Sequence, residues 1–265
     1  MYFVSLFIGS RGSGKTFSCC QLLKLYEKYG LAMAGRYMQQ RIILPSPTAP
    51  ANPVFTALKN LDSSDIHGTY SDSLLMDIMD DIATERIKTA EYQKKLSLWN
   101  KCLKMKNLYE LDQEELIQLE LMHYEPPELP RFPNGVVNFL ILDDLVGSTA
   151  YKATGKSALT NLVLRNRHMG INILMMTQNL KSVPKSIRSN TSLFVIFKFA
   201  SKRIIVDDLY EELSNCVTLE NFEKLIDFAT VDEHDCLVID FLNQKLKDLK
   251  RIGAQFCACR ASLTI

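Results

Sequence analysis

Eight consecutive residues, Gly9-Ser10-Arg11-Gly12-Ser13-Gly14-Lys15-Thr16, have the types and spacing that hold a chain of phosphates. Glycines at the first and sixth places let backbone N–H groups turn inward around a phosphate. Lys15 brings an ammonium to the β- and γ-phosphates, and Thr16 offers its hydroxyl to Mg²⁺. A helix that starts here adds positive potential at its N-terminus. The pattern is a complete Walker A motif, so the expected ligand is Mg-ATP.

A second constellation is Phe139-Leu140-Ile141-Leu142-Asp143-Asp144. Four apolar residues bury a strand and deliver carboxylates at its C-terminal end, as in a Walker B motif. Asp143 is expected to hold Mg²⁺ through water. Asp144 is expected to orient or deprotonate the attacking water. Ile173-Leu174-Met175-Met176-Thr177-Gln178 is another apolar strand with a polar tip. A glutamine there can hydrogen-bond the γ-phosphate or the water and so report hydrolysis. Arg165-Asn166-Arg167-His168 closes a helix. Cations at a helix C-terminus are favourable with no further role, and His168 reads as a helix-end residue. Arg165 or Arg167 can also serve a neighbouring subunit as an arginine finger. Arg188 is a further candidate finger or a DNA contact.

The elements that must position these residues follow from periodicity and punctuation. Residues 3–8 form a nearly continuous apolar run and read as a buried strand, not a signal core, because a basic flank and a cleavage site are missing. Residues 16–29 read as a helix stopped by Gly30. A short strand at 41–44 ends in Pro45-Ser46-Pro47-Thr48. A long helix is expected over 73–106, capped by Asp72 or Ser73, and a second over 111–122 with a capping box between Asp112 and Glu115. Residues 125–135 are a stiff proline-rich linker. Strands are expected at 136–142, 171–176, 192–199, 236–241 and 254–260, and helices at 157–168, 206–214 and 218–229. Strands alternating with helices imply a mostly parallel sheet covered on both faces, hence an α/β P-loop sandwich. The chain reads as a single domain, 1–265, with residues 49–135 as a helical insertion.

Length and composition agree with one large domain: 265 residues, 47% hydrophobic and 23% charged. No apolar run approaches the roughly 20 residues of a membrane span. Seven cysteines, an odd number at spacings that fit neither a disulfide framework nor a zinc site, read as free thiols in a reducing compartment. Net charge is +1, yet residues 145–206 carry ten basic and no acidic side chains. Of the 31 basic residues, 21 then remain against 30 acidic, a net −9 outside that stretch. A positive segment of this kind points to a polyanionic partner.

The ordered set Gly-Ser-Arg-Gly-Ser-Gly-Lys-Thr, Leu44-Pro45-Ser46-Pro47-Thr48, Ile141-Leu142-Asp143-Asp144-Leu145, and Arg165-Asn166-Arg167-His168-Met169-Gly170-Ile171-Asn172 running into Thr177-Gln178 resembles the genome-packaging ATPases of nucleocytoplasmic large DNA viruses, in the FtsK–HerA superfamily. The resemblance covers most of residues 3–200 apart from the insertion. It implies a RecA-like fold and a homo-oligomeric ring, pentamer or hexamer, that hydrolyses ATP and moves double-stranded DNA into a capsid. It also implies contact with capsid or vertex proteins and a place at the virion assembly site in the host cytoplasm. Arg165 is, by the same resemblance, the finger supplied in trans. Asp144 departs from the glutamate usual at its position. Two rivals stand beside this expectation. A P-loop nucleotide kinase would use the basic segment as a lid, and an ATP-dependent assembly protein would bind without turning over.

Overall fold

The computed structural model describes residues 2–29, 31–33, 36–46, 52–105, 111–143, 145, 149–151, 157–199, 209–211, 218–241 and 257–259. Asp144, Thr48, Cys216 and most of the helix expected at 206–214 lie outside them.

The strands are β1 (Val4–Ile8), β2 (Leu31–Met33), β3 (Arg36–Pro45), β4 (Ile66–His67), β5 (Val136–Asp143), β6 (Ile171–Thr177), β7 (Leu193–Phe197), β8 (Cys236–Asp240) and β9 (Cys257–Cys259). The helices are α1 (Lys15–Tyr29), α2 (Pro53–Thr56), α3 (Asp72–Lys104), α4 (Gln113–Leu121), α5 (Ala158–Met169), α6 (Lys185–Arg188) and α7 (Leu219–Ala229). One sheet runs β2-β3-β5-β6-β1-β7-β8-β9, with β4 beside β3. Its centre, β3-β5-β6-β1-β7, is parallel throughout.

The expectation of a parallel sheet holds for that centre and fails at the rims. β2 pairs antiparallel with β3, β8 with β7, and β9 with β8. Strand direction depends on where the preceding connection leaves the chain, and an apolar run carries no sign of it.

β1, β5 and β6 are buried along almost their whole length. This matches their unbroken apolar sequences, which suit strands covered on both faces. Alternate residues feed two cores. One contains Leu6, Leu140, Ile173 and Ile196 against Leu159, Leu162 and Val163 of α5, Leu75, Ile78 and Ile82 of α3, and Phe222 and Ile226 of α7. The other packs Phe7, Phe139, Leu174 and Phe197 against Cys19, Cys20 and Leu23 of α1 and Phe55 of α2. The first turns of α3, within residues 49–135, are thus part of the main core.

Local rules explain the element ends. The oxygen of Ser157 accepts from the Thr160 amide at the start of α5, and Gly170 closes that helix in the left-handed region at φ 70°. The capping box of α4 is present in both directions between Asp112 and Glu115. For α3 the cap is Ser71, which accepts from Leu74, and not Asp72 or Ser73. The expected boundary was late because Asp72 already lies in the first turn, where a carboxylate also suits the helix dipole. β3 is much longer than residues 41–44: it starts at Arg36, and Gln40, just before the expected start, is a buried polar member of it.

Candidate active site

Parallel strands place their C-terminal ends at one edge of the sheet. Ile8, Asp143 and Thr177, at or near the ends of β1, β5 and β6, reach that edge together: Ile8 is paired with Thr177, and Asp143 with Met176. The phosphate loop follows β1 directly. β6 stands between the loop strand and the Asp143 strand, so Gln178, which follows β6, comes between the loop and Asp143 in the strand order.

The loop is held from within and from outside. Gly12 and Gly14 have φ of 81° and 96°, values that favour glycine. A Cβ on Gly9 would lie 2.5 Å from Ser13 Oγ and 2.8 Å from Phe197 Cβ. The Gly9 amide donates to the Thr177 carbonyl at 3.3 Å, and Ser10 Oγ donates to the Lys198 carbonyl at 3.3 Å. Lys15 Nζ folds over the loop and donates to the carbonyls of Gly9 at 2.8 Å and Ser10 at 2.7 Å. Ser13 Oγ is buried without a hydrogen-bond partner. Thr16 and Asp143 are half-buried.

These residues fit the group they are expected to hold. A half-buried hydroxyl and a half-buried carboxylate are hard oxygen donors, as Mg²⁺ prefers, and that ion keeps several waters and needs few protein ligands. The loop supplies glycine-dependent backbone turns, a lysine and the first turn of α1, where the Ser18 amide bonds to the Gly14 carbonyl at 2.9 Å.

Among the sequence-expected residues, Gly9 to Thr16, Asp143 and Gln178 gather at this edge, and Gln178 is exposed there. Asp144 lies outside the described residues. Arg165 and Arg167 do not join the group. α5 runs antiparallel to the strands and its C-terminus enters β6 at the opposite edge. Gly170 to Gln178 spans about 26 Å of extended chain, and Arg165 is only about 7.5 Å of helix back from Gly170. By those ideal rises Arg165 is on the order of 18 Å short of the loop edge of its own chain, farther than an arginine side chain spans. Both arginines are exposed, and their side chains make no hydrogen bond or ion pair among the described residues. His168 ends the same helix, and its carbonyl accepts from Arg86 Nη1 at 2.8 Å.

The basic segment is split by the fold. Lys198 Nζ donates to the Val231 carbonyl at 2.9 Å beside the loop. Lys185 faces Glu211 at 3.4 Å on α6, which packs on α5. Arg188 is half-buried.

Burial keeps nearby thiols protonated. Cys19 is pushed well above the ordinary thiol range by desolvation, with Cys20 and Asp143 adding to it. Cys20 is raised to about 11, again chiefly by burial. Among the described residues no group of three His, Cys, Asp or Glu side chains could hold a metal ion, and no helix is long and apolar enough to cross a membrane.

The strand order, the glycine-rich loop after β1 and the carboxylate-tipped strand define the class: an α/β fold of the P-loop nucleoside triphosphatase type, with an additional strand, β6, between the loop strand β1 and the Asp143 strand β5. No protein-family model matches the chain, and no curated protein matches it in sequence. Among solved structures it is similar to the genome packaging NTPase B204 of Sulfolobus turreted icosahedral virus 2 in complex with ATPγS, with TM-score 0.49 and 14% identity over 92% of this chain and 94% of that one. It is similar to B204, the DNA-packaging ATPase of Sulfolobus turreted icosahedral virus, with TM-score 0.45 and 14% identity over 90% and 92%. A third likeness is to the cytoplasmic domain of the Thermomonospora curvata type VII secretion ATPase EccC, with TM-score 0.40 and 14% identity over 74% of this chain and 19% of that one. At such identities and scores the class rests on the strand order and the loop themselves.

Proposed function

We propose that the chain hydrolyses Mg-ATP and uses the energy to move double-stranded DNA into a viral capsid, as a homo-oligomeric ring of five or six subunits. The observation that carries the reading is the order β5-β6-β1, with Asp143, Gln178 and the loop of Lys15 and Thr16 at one edge. In this reading Mg²⁺ neutralises phosphate charge when bound, and Thr16 and Asp143 hold it. Lys15 exchanges the Gly9 and Ser10 carbonyls for the β- and γ-phosphates. Asp144 orients or deprotonates the attacking water, and Gln178 hydrogen-bonds the γ-phosphate or that water. Arg165, or Arg167, serves the pocket of an adjacent subunit, because neither reaches its own. The exposed lysines of residues 181–198 grip DNA phosphates without reading sequence. Capsid or vertex proteins are the other partners, and the virion assembly site in infected cytoplasm is the place of action.

Phosphate release from ATP, measured with and without double-stranded DNA and alongside the mass in solution, tests the reading. Turnover is expected without any acceptor nucleotide, stimulated by DNA of any sequence, in a particle of five or six chains. Lys15→Ala should abolish it. Transfer only to an acceptor nucleotide would make the protein a kinase, and ATP binding without turnover would make it an assembly factor.

A further inference from the structure

We propose that His234 contacts the nucleoside of the bound nucleotide; this rests on the reading of the phosphate loop as an ATP site. β8 runs antiparallel to β7, with Cys236 paired to Phe197, so the turn before β8 crosses the sheet edge that carries the loop. A Cβ on Gly14 would meet His234 Nδ1 at 3.4 Å and its Cβ and Cγ at 3.8 Å. One added carbon on Gly14 would thus touch the imidazole, which places His234 against the phosphate loop. It is exposed and makes no hydrogen bond or ion pair among the described residues. The Nδ1 edge is the one nearest Gly14.

The turn is tethered to the loop through Lys198. Ser10 Oγ donates to the Lys198 carbonyl at 3.3 Å, and Lys198 Nζ donates to the Val231 carbonyl at 2.9 Å. His234 is three residues beyond Val231. The side of the site it occupies follows from strand order. Asp143 and Gln178 lie on the β5-β6 side of the loop, where the γ-phosphate and Mg²⁺ belong. A triphosphate laid along the loop must then release its nucleoside on the other side, toward β7 and β8. The exposed carboxylates of Asp232 and Glu233 flank His234 there. They would repel a further phosphate and can accept hydrogen bonds from a ribose. A planar ring at this place suits stacking or a hydrogen bond to the nucleoside.

Calorimetric titration of the full chain tests this, with Mg-ATP, Mg-ADP and Mg-tripolyphosphate as probes for wild type and His234→Ala. The variant should lose at least about fivefold in affinity for ATP and ADP, the lower end of a base–aromatic contact. Its affinity for tripolyphosphate should not change, which also shows that the loop is intact. An equal loss for all three probes would make His234 a support for the loop and overturn the proposal, as would no loss at all. Wild-type protein that binds tripolyphosphate no more weakly than ATP would overturn the nucleoside contact alone. Wild-type protein that binds none of the probes would overturn the ATP reading beneath it.

Discussion

The amide of Gly9 donates to the carbonyl of Thr177 across 3.3 Å, tying the first residue of the phosphate loop to the last residue of β6. Gln178 is the next residue, so backbone hydrogen bonding sets its distance from the loop before any side chain is considered.

Gly9 also has no room for a side chain. An added Cβ would sit 2.5 Å from Ser13 Oγ and 2.8 Å from Phe197 Cβ. The hydroxyl can rotate away, but Phe197 Cβ is fixed to the β7 backbone. Gly9→Ala should cost about 1–3 kcal/mol in a thermal melt and abolish tight ATP binding. At Gly12 nothing lies within 4 Å of an added Cβ, and only its φ of 81° is strained. Gly12→Ala should destabilise by about 1 kcal/mol. Equal melting shifts for the two would show that crowding at Gly9 does not matter.

Gln178→Ala should bind Mg-ATP within about twofold of wild type while its single-turnover hydrolysis falls by about 10²–10³, as when one transition-state donor is removed. Asp144→Asn should behave alike, since the water loses its orienting carboxylate. Wild-type turnover in either variant would remove that residue from the catalytic set.

Arg165 lies too far from its own loop to act there, so an arginine finger at this position would have to serve a neighbouring subunit. Arg165→Ala should keep ATP binding and lose about 10³–10⁵ in rate. Co-expression with Lys15→Ala should restore measurable ATPase activity, because some interfaces then combine an intact loop with an intact arginine. A mixed ring that forms and stays inactive would point to Arg167, Arg188 or a structural role.

Arg41 and Asp65 form a buried pair between β3 and the turn before β4. Arg41 donates to Asp65 Oδ1 through Nε at 3.0 Å and Nη2 at 2.5 Å, and Arg131 reaches Oδ2 at 2.8 Å. The side chains of Arg41 and Asp65 are 6% and 3% exposed. Asp65→Asn leaves the Arg41 charge with Asp81 alone and should lower urea-measured stability by about 3–5 kcal/mol. A loss under 1 kcal/mol would mean that Asp81 suffices.

The buried thiols give stability a basic limit. Cys20 is raised from 9.0 to about 11, so the folded state keeps a proton that the unfolded chain releases first. The contribution is complete below about pH 9, falls as pH rises, and is spent near pH 11. Stability measured between pH 8 and 11 should decline, and less steeply in Cys20→Ala. Iodoacetamide should label Cys19 and Cys20 only after unfolding.

Local sequence alone dictates the glycine turns of residues 9–14, the central strands and the capping box of α4. These depend on neighbours within a few residues: glycines that free the backbone, apolar runs that need burial, an oxygen three residues before an amide. It could not determine the length of β3, because Gln40, just before the expected start, is buried only by virtue of a partner elsewhere, as is Arg41 at that start. Gln40 Nε2 donates to the Leu23 carbonyl at 3.3 Å, and Asp65 neutralises Arg41. Nor could it tell the direction of β8, and with that it missed His234. The only local sign of that residue is an exposed histidine in an acidic turn, which resembles any surface loop. The same limit applied to Arg165 and Arg167. Their types suggested a role at a phosphate, and only the antiparallel run of α5 placed them at the far edge of the sheet from their own loop. Side-chain chemistry is a local property of the chain, whereas the distance between two chemistries is a property of strand order and direction.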